Sequence, residues 1–265
     1  MIEKEYLEHQ KKYIPWKNNY MVEQDMIISR ALVSLYSNHL IRDTLVFKGG
    51  TALNKLFFSP AARYSEDIDL VRIAGDKIGP ISKAISSSLL WLVEEAGFGP
   101  PAHSLRKYGL KFFYKFQNVE GNISKLKVEV NTREPFHISP IKQMAFSFNS
   151  DWWSGNTHIT TYCIEEIMAT KIRAVYQRRK GRDLFDAWYV FSKGLADIEK
   201  VVPMFHAYNE YNGTKITRKM FIQNMNEKKN NADFRQDITA LLPLDTDYDF
   251  DTAFDFFMRE IIPHI

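Results

Sequence analysis

A strand that runs into two glycines and emerges at once as a helix is the feature that most narrows what this chain can fold into. Leu45-Val46-Phe47 reads as a short buried strand, Lys48-Gly49-Gly50-Thr51 follows, and Thr51 to Phe58 opens a helix. Glycines let a backbone turn tightly and come close to another group. The first turn of a helix presents N–H groups without intrahelical acceptors and the positive end of a dipole, a setting suited to phosphate. Thr51 can add a hydroxyl. No GxxxxGK[ST] is present, so this is not a Walker loop. A plain strand-to-helix turn needs the same glycines.

Downstream stands Arg63-Tyr64-Ser65-Glu66-Asp67-Ile68-Asp69-Leu70. On a strand, alternation puts Asp67 and Asp69 on one face and buries Ile68 and Leu70 on the other. Two neighbouring carboxylates repel each other unless a cation neutralises them, and hard oxygen donors suit Mg²⁺ or Mn²⁺. In Leu126-Lys127-Val128-Glu129-Val130-Asn131 the valines face the core, so Glu129 faces away with Lys127 and Asn131. If its strand lies beside that of Asp67 and Asp69, Glu129 completes a metal site; otherwise it is a surface acid.

A second group of charges lies later in the chain. Lys171, Arg173, Arg178, Arg179, Lys180 and Arg182 fall within twelve residues with no acid among them. Lys171 sits near an apolar helical stripe, where an ammonium needs an anionic partner. Asp183 and Asp186 follow Gly181 at the start of another helix, where acids also serve simply to stabilise the N-terminus. Net charge is only +3, too weak to imply nucleic-acid binding by itself. The basic stretch 171–182, extended by Lys111, Lys115, Lys125 and Lys127, is either an RNA-tracking surface or a solvated one.

Along the chain, periodicity predicts helices over 22–40 and 80–96, strands over 45–47 and 68–73, a hairpin of 111–119 with 124–132, and short strands near 146–148 and 158–162. After residue 163 only helices are read: 164–178, 182–193, 197–210, 217–228, 232–241 and 252–262. The expected class is α+β, with a mixed-sheet domain over 1–162, a helical bundle over 163–265, and a ligand cleft between two lobes. Hydrophobic residues at 45% and charged residues at 25% exclude disordered and collagen-like classes. The single cysteine, Cys163, excludes an intrachain disulfide and fits a reducing cytoplasm. No apolar run reaches the ~18 residues of a membrane span, and the charged start Met1-Ile2-Glu3-Lys4-Glu5 does not read as a signal peptide. Within Asp245–Asp255 the calcium-loop pattern fails, and Asp251 or Thr252 is expected to cap the last helix. Trp152-Trp153 is expected to pack rather than stack a base.

Taken together, GGT, RxSxDIDL, an acid on a following strand, a lysine-bearing helix and Arg182-Asp183-x-x-Asp186 resemble the AbiEii/AbiGii toxin family of the DNA polymerase β-like nucleotidyltransferases, over residues 44–190. The Gly50-Thr51 pair departs from the superfamily's usual GS, and the spacer to the first aspartate is longer. The resemblance implies a bilobal nucleotidyltransferase fold, a nucleoside triphosphate donor and a divalent cation (Mg²⁺ or Mn²⁺). On it, two metal ions are expected on Asp67 and Asp69 with help from Glu129. The triphosphate is expected on Gly49, Gly50, Thr51 and Lys171, with Arg178 and Arg182 as further phosphate or RNA contacts. Asp183 is a base or an orienting partner of Lys171, and Arg63 and Ser65 brace the glycine turn. The acceptor implied for some relatives is the acceptor end of tRNA, and such toxins commonly have an antitoxin partner. Acceptors that are small molecules or proteins, and a non-catalytic nucleic-acid-binding role, are the competing readings.

Overall fold

A computed structural model describes residues 2–73 and 77–265, the side chain of Arg106 excepted. The chain divides into two compact units, Met1–Tyr162 and Cys163–Ile265.

The first unit is built on a seven-stranded mixed sheet. In chain order its elements are α1 (Lys4–Gln10), α2 (Asn19–Tyr36), α3 (His39–Thr44), β1 (Leu45–Lys48), α4 (Gly49–Ala52, running on as a wider turn over Leu53–Phe57), β2 (Asp67–Arg72), α5 (Ile78–Ser88), α6 (Leu90–Ala96), β3 (Ala102–Arg106), β4 (Gly109–Gln117), β5 (Ile123–Asn131), β6 (Lys142–Asn149) and β7 (Ser154–Thr161). The strand order is β3-β4-β5-β2-β1-β7-β6. β1 and β2 are antiparallel, and each is flanked by a parallel neighbour, β7 beside β1 and β5 beside β2. Hairpins β4–β5 and β6–β7 extend the two sides.

Alternation explains the sheet's two faces. Phe47, Ile68, Leu70, Leu110, Phe112, Leu126, Val128 and Val130 are buried on one side. There α6 packs on β4, while α2 packs on β6 and β7. Met26, Ile27, Ile28, Ala31, Leu32 and Leu35 of α2 are fully enclosed, and each of the larger side chains contributes about 1.5–3 kcal/mol.

Three expectations need adjustment. The helix predicted over 22–40 ends at Tyr36, because Asn38 adopts extended backbone and accepts the Ile41 N–H, starting α3. The helix over 80–96 is interrupted at Leu89, whose backbone leaves the helical region, and it ends at Gly97 with φ +70°. Edge strand β3 was not anticipated: Ala102-His103-Ser104-Leu105 lacks β-branched residues, and β4 holds it through backbone pairing.

The second unit is helical: α7 (Ile164–Gln177), α8 (Gly181–Ser192), α9 (Ile198–Tyr211), α10 (Arg218–Lys229), α11 (Ala232–Gln236) and α12 (Phe250–Phe256, continued through a wider turn to Ile261). Buried α7 packs against α8, α9 and α10. Its last carbonyls, Val175 O and Tyr176 O, accept from the buried Lys228 Nζ at 2.5 and 2.8 Å. Burial brings that amine down to about 8, so it keeps its charge to near neutrality and caps the helix end. Asp249, not Asp251 or Thr252, caps α12, accepting the Thr252 N–H at 2.7 Å, while Asp251 pairs with Arg235. No helix among the described residues is long and apolar enough to cross a membrane.

Candidate active site

Register settles which side chains share the sheet's other face. Lys48 on β1 lies opposite Asp69 on β2, Asp69 opposite Glu129 on β5, and Glu129 opposite Lys111 on β4. The next transverse row reads Asp67, Lys127, Phe113. The pairing that the sequence left open is present: β2 and β5 are direct parallel neighbours, and Asp67, Asp69 and Glu129 stand on one face.

The glycine turn sits against this row. Gly49 has φ +85°, and a Cβ placed on it would lie 2.7 Å from Asp69 Oδ2. Only glycine allows both that conformation and that approach. At Gly50 an added Cβ would lie 2.2 Å from a terminal nitrogen of Arg63, a residue that is 2% exposed. Asn54 closes the turn from behind: its Nδ2 donates to Gly50 O at 2.8 Å, and its Oδ1 accepts the N–H groups of Ala62 and Arg63. Gly50→Ala is therefore expected to cost about 1–3 kcal/mol through overpacking, read as a lowered thermal midpoint together with lost activity.

Thr51 differs from expectation. Its side chain is buried, donates to Asp67 O at 2.5 Å and bonds Ser65 Oγ at 2.8 Å. The hydroxyl is thus engaged in binding the turn to β2, and only the backbone of Thr51 is left to face a phosphate. Ser65 bonds Thr51 and Arg63 lies against Gly50, so both brace the turn.

The electrostatics divide the three acids. Burial and the neighbouring Asp67 push the Asp69 carboxyl above the usual range, while Lys127 and Lys48 pull it back. Lys127 Nζ lies 2.7 Å from Asp67 Oδ2 and 3.5 Å from Glu129 Oε2, and Lys111 Nζ holds Glu129 Oε1 at 2.8 Å. Both oxygens of Glu129 therefore meet lysines. Among the described residues no three His, Cys, Asp or Glu side chains are grouped closely enough to hold a metal ion. Of the three acids expected to hold a hard divalent cation, Asp67 shares Lys127 with Glu129, Glu129 also meets Lys111, and Asp67 and Asp69 repel each other. The role of Lys127 was missed at the sequence level. The alternation places it on Glu129's face, but its pairing with Asp67 depends on the β2–β5 register.

The second charged cluster lies within the helical unit. Lys171 Nζ is buried between Asp183 Oδ1 at 3.1 Å and Asp186 Oδ2 at 2.7 Å. Arg178 grips Asp183 through Nε at 2.6 Å and Nη2 at 2.8 Å. Burial pushes the Asp183 carboxyl up, but Lys171 and Arg178 outweigh it and bring it to about 2. Lys171 and both prongs of Arg178 thus hold the Asp183 carboxylate as a buried, ion-paired acid. Arg182, expected at the nucleotide, forms a two-pronged pair with Asp237 at 2.8 and 2.9 Å, because Asp237 follows α11 and faces the start of α8. Trp152 meets Trp91 edge-on, and Arg30 stacks on Trp91 at 3.7 Å.

The family model described as nucleotidyl transferase AbiEii toxin, type IV toxin–antitoxin system, matches residues 30–256. The chain belongs to the AbiEii nucleotidyltransferase toxin family. Like its relatives it is a nucleotidyl-transferring enzyme. Its fold is similar to MenT4, a nucleotidyltransferase toxin from Mycobacterium tuberculosis H37Rv, with a TM-score of 0.60 at 14% identity, over 98% of this chain and 88% of that one. It is also similar to JHP933 from Helicobacter pylori, with a TM-score of 0.52 at 16% identity, over 90% and 88% of the two chains. No curated protein sequence matches. The AbiEii match covers the glycine turn, both aspartates, Glu129 and the Lys171 cluster.

Proposed function

We propose that this AbiEii-family enzyme transfers a nucleoside monophosphate from an NTP to a hydroxyl at an RNA 3′ end, the tRNA acceptor end being the leading candidate. The observation that carries this reading is the alignment of Asp67 and Asp69 on one sheet face with Gly49 pressed against Asp69. In the reaction the acceptor oxygen bonds to the α-phosphorus, the α–β phosphoanhydride bond breaks, pyrophosphate leaves, and the hydroxyl proton passes to water. Asp67 and Asp69 would hold Mg²⁺ or Mn²⁺, which when bound polarises phosphoryl oxygens and neutralises their charge. Backbone N–H groups of Gly49, Gly50 and Thr51 would donate to the phosphate tail. Lys127 holds the Asp67 carboxylate in place, and Glu129 holds Lys127 and Lys111.

The family resemblance assigns Lys171 to the triphosphate. In the structure its ammonium is buried and paired with Asp183 and Asp186. We place the activity in the cytoplasm, where NTPs and tRNA occur, with a cognate antitoxin as protein partner.

The test is incubation with each α-labelled NTP, Mg²⁺ or Mn²⁺ and total RNA. Label on RNA with stoichiometric pyrophosphate is the expected result. Label on protein would move the acceptor to a side chain, and no transfer with any NTP would overturn the reading.

A further inference from the structure

The residues that line the route into the acid row have a pattern of their own. Odd-numbered residues of β4 and β5 face away from the core. Lys115 stands opposite Lys125, Phe113 opposite Lys127, and Lys111 opposite Glu129. Rows two residues apart are separated by about 7 Å along a strand, so the face descends in steps from the hairpin's far end to Asp67 and Asp69. Lys115 and Lys125 are exposed, Phe113 is half-buried, and Ile123 at the far end is 67% exposed.

Charge separates the upper steps from the lower ones. Lys111 and Lys127 are committed to Glu129 and Asp67. Lys115 and Lys125 have no carboxylate partner among the described residues; the ammonium of Lys125 instead lies 5.5 Å from the Phe113 ring centre. Cations without carboxylate partners beside a half-buried aromatic ring on a pleated sheet suit a polynucleotide whose bases are unpaired: Lys115 and Lys125 take phosphates, and as Lys125 turns from the ring to a phosphate a base stacks in its place. A duplex has no exposed base face for Phe113. An acidic protein would satisfy the lysines but gain nothing from steps that end at Asp67 and Asp69.

We propose that the open face of β4–β5 is the track on which a single-stranded RNA 3′ end lies, with phosphates on Lys115 and Lys125 and a base on Phe113, its terminal hydroxyl directed to the Asp67 and Asp69 row. This rests on the nucleotidyl-transfer reading for its direction, not for the binding itself.

The test uses the full chain and a fluorophore-labelled RNA hairpin bearing a short single-stranded 3′ tail, with a blunt hairpin as comparison. In Lys115→Ala/Lys125→Ala, affinity for the tailed RNA is expected to fall tenfold or more at low salt. The slope of log K against log salt should shrink by about 1.4, from roughly 0.7 for each of two single-strand phosphates. Phe113→Leu is expected to weaken tailed but not blunt RNA. Transfer should show a raised KM for RNA with the KM for NTP unchanged. Lys12→Ala/Lys17→Ala removes the same charge from exposed positions elsewhere in the unit and should leave RNA affinity as it was.

Equal losses in both double variants, or an unchanged salt slope in Lys115→Ala/Lys125→Ala, would overturn the track. Lysine-dependent RNA binding without transfer by the native chain would uphold the track and defeat the reaction. Transfer with an unaltered RNA KM in the variant would do the reverse.

Discussion

Asp69→Asn is expected to lower nucleotidyl transfer by about a thousandfold, the rate equivalent of ~4 kcal/mol, without lowering the thermal midpoint. The amide keeps the volume packed against Gly49, where Asp69 Oδ2 makes the closest approach, but it removes the anionic donor. Stability should hold or rise, because Asp69 is a carboxylate that burial and Asp67 both disfavour. Loss of a disfavoured charge removes a cost rather than a contact. Asp67→Ala should lose activity to a similar degree, leaving Lys127 to Glu129. Glu129→Gln distinguishes the two kinds of acid. Glu129 touches lysines, so its variant should still bind Mn²⁺, measured by calorimetry, and lose only about tenfold in rate, an amount worth about 1.4 kcal/mol. If Glu129→Gln abolished Mn²⁺ binding as fully as Asp69→Asn, Glu129 would be a direct ligand and the division of roles would fail.

How far the sequence revealed this arrangement depends on whether the determinants were local. The glycine turn, the alternation in Asp67-Ile68-Asp69-Leu70 and the all-helical stretch after residue 163 are encoded within a few residues of themselves, and periodicity finds them. That Glu129 shares a face with Asp69 depends on the β2–β5 pairing, a contact across sixty positions for which a lone strand gives no partner. The same limit hid where the charges go. Arg182 and Thr51 look available when read along the chain, yet Asp237 takes one and the Asp67 carbonyl takes the other. Asn54 joins Gly50 to residues 62 and 63, and nothing in its immediate neighbours along the chain points to those partners. Buried polar groups are satisfied through such long-range bonds, so their partners emerge only with the fold.

Asp183→Asn tests the helical unit, and the expected change is in stability before it is in rate. Asp183 is fully enclosed and receives Lys171 and both prongs of Arg178. Removing one partner of a buried charged group leaves the others uncompensated, typically at a cost of about 3–5 kcal/mol. A urea midpoint at pH 7 should fall accordingly. The sign of the pH dependence follows from the carboxyl lying below its ordinary value, at about 2 against 3.8. The unfolded chain takes up this proton first as pH falls, so the stabilisation is complete above about pH 5 and is lost on descending toward pH 2, by about 2 kcal/mol. Asp183→Asn has no such group and should lack that portion of the acid-induced loss, so the gap between native and variant curves narrows by about 2 kcal/mol at low pH without closing. Activity then separates the two roles considered for Asp183. As an orienting partner it acts through the position of Lys171, and the variant's residual transfer should keep the native pH profile on its acidic side. A general base would take the acidic limb of that profile with it.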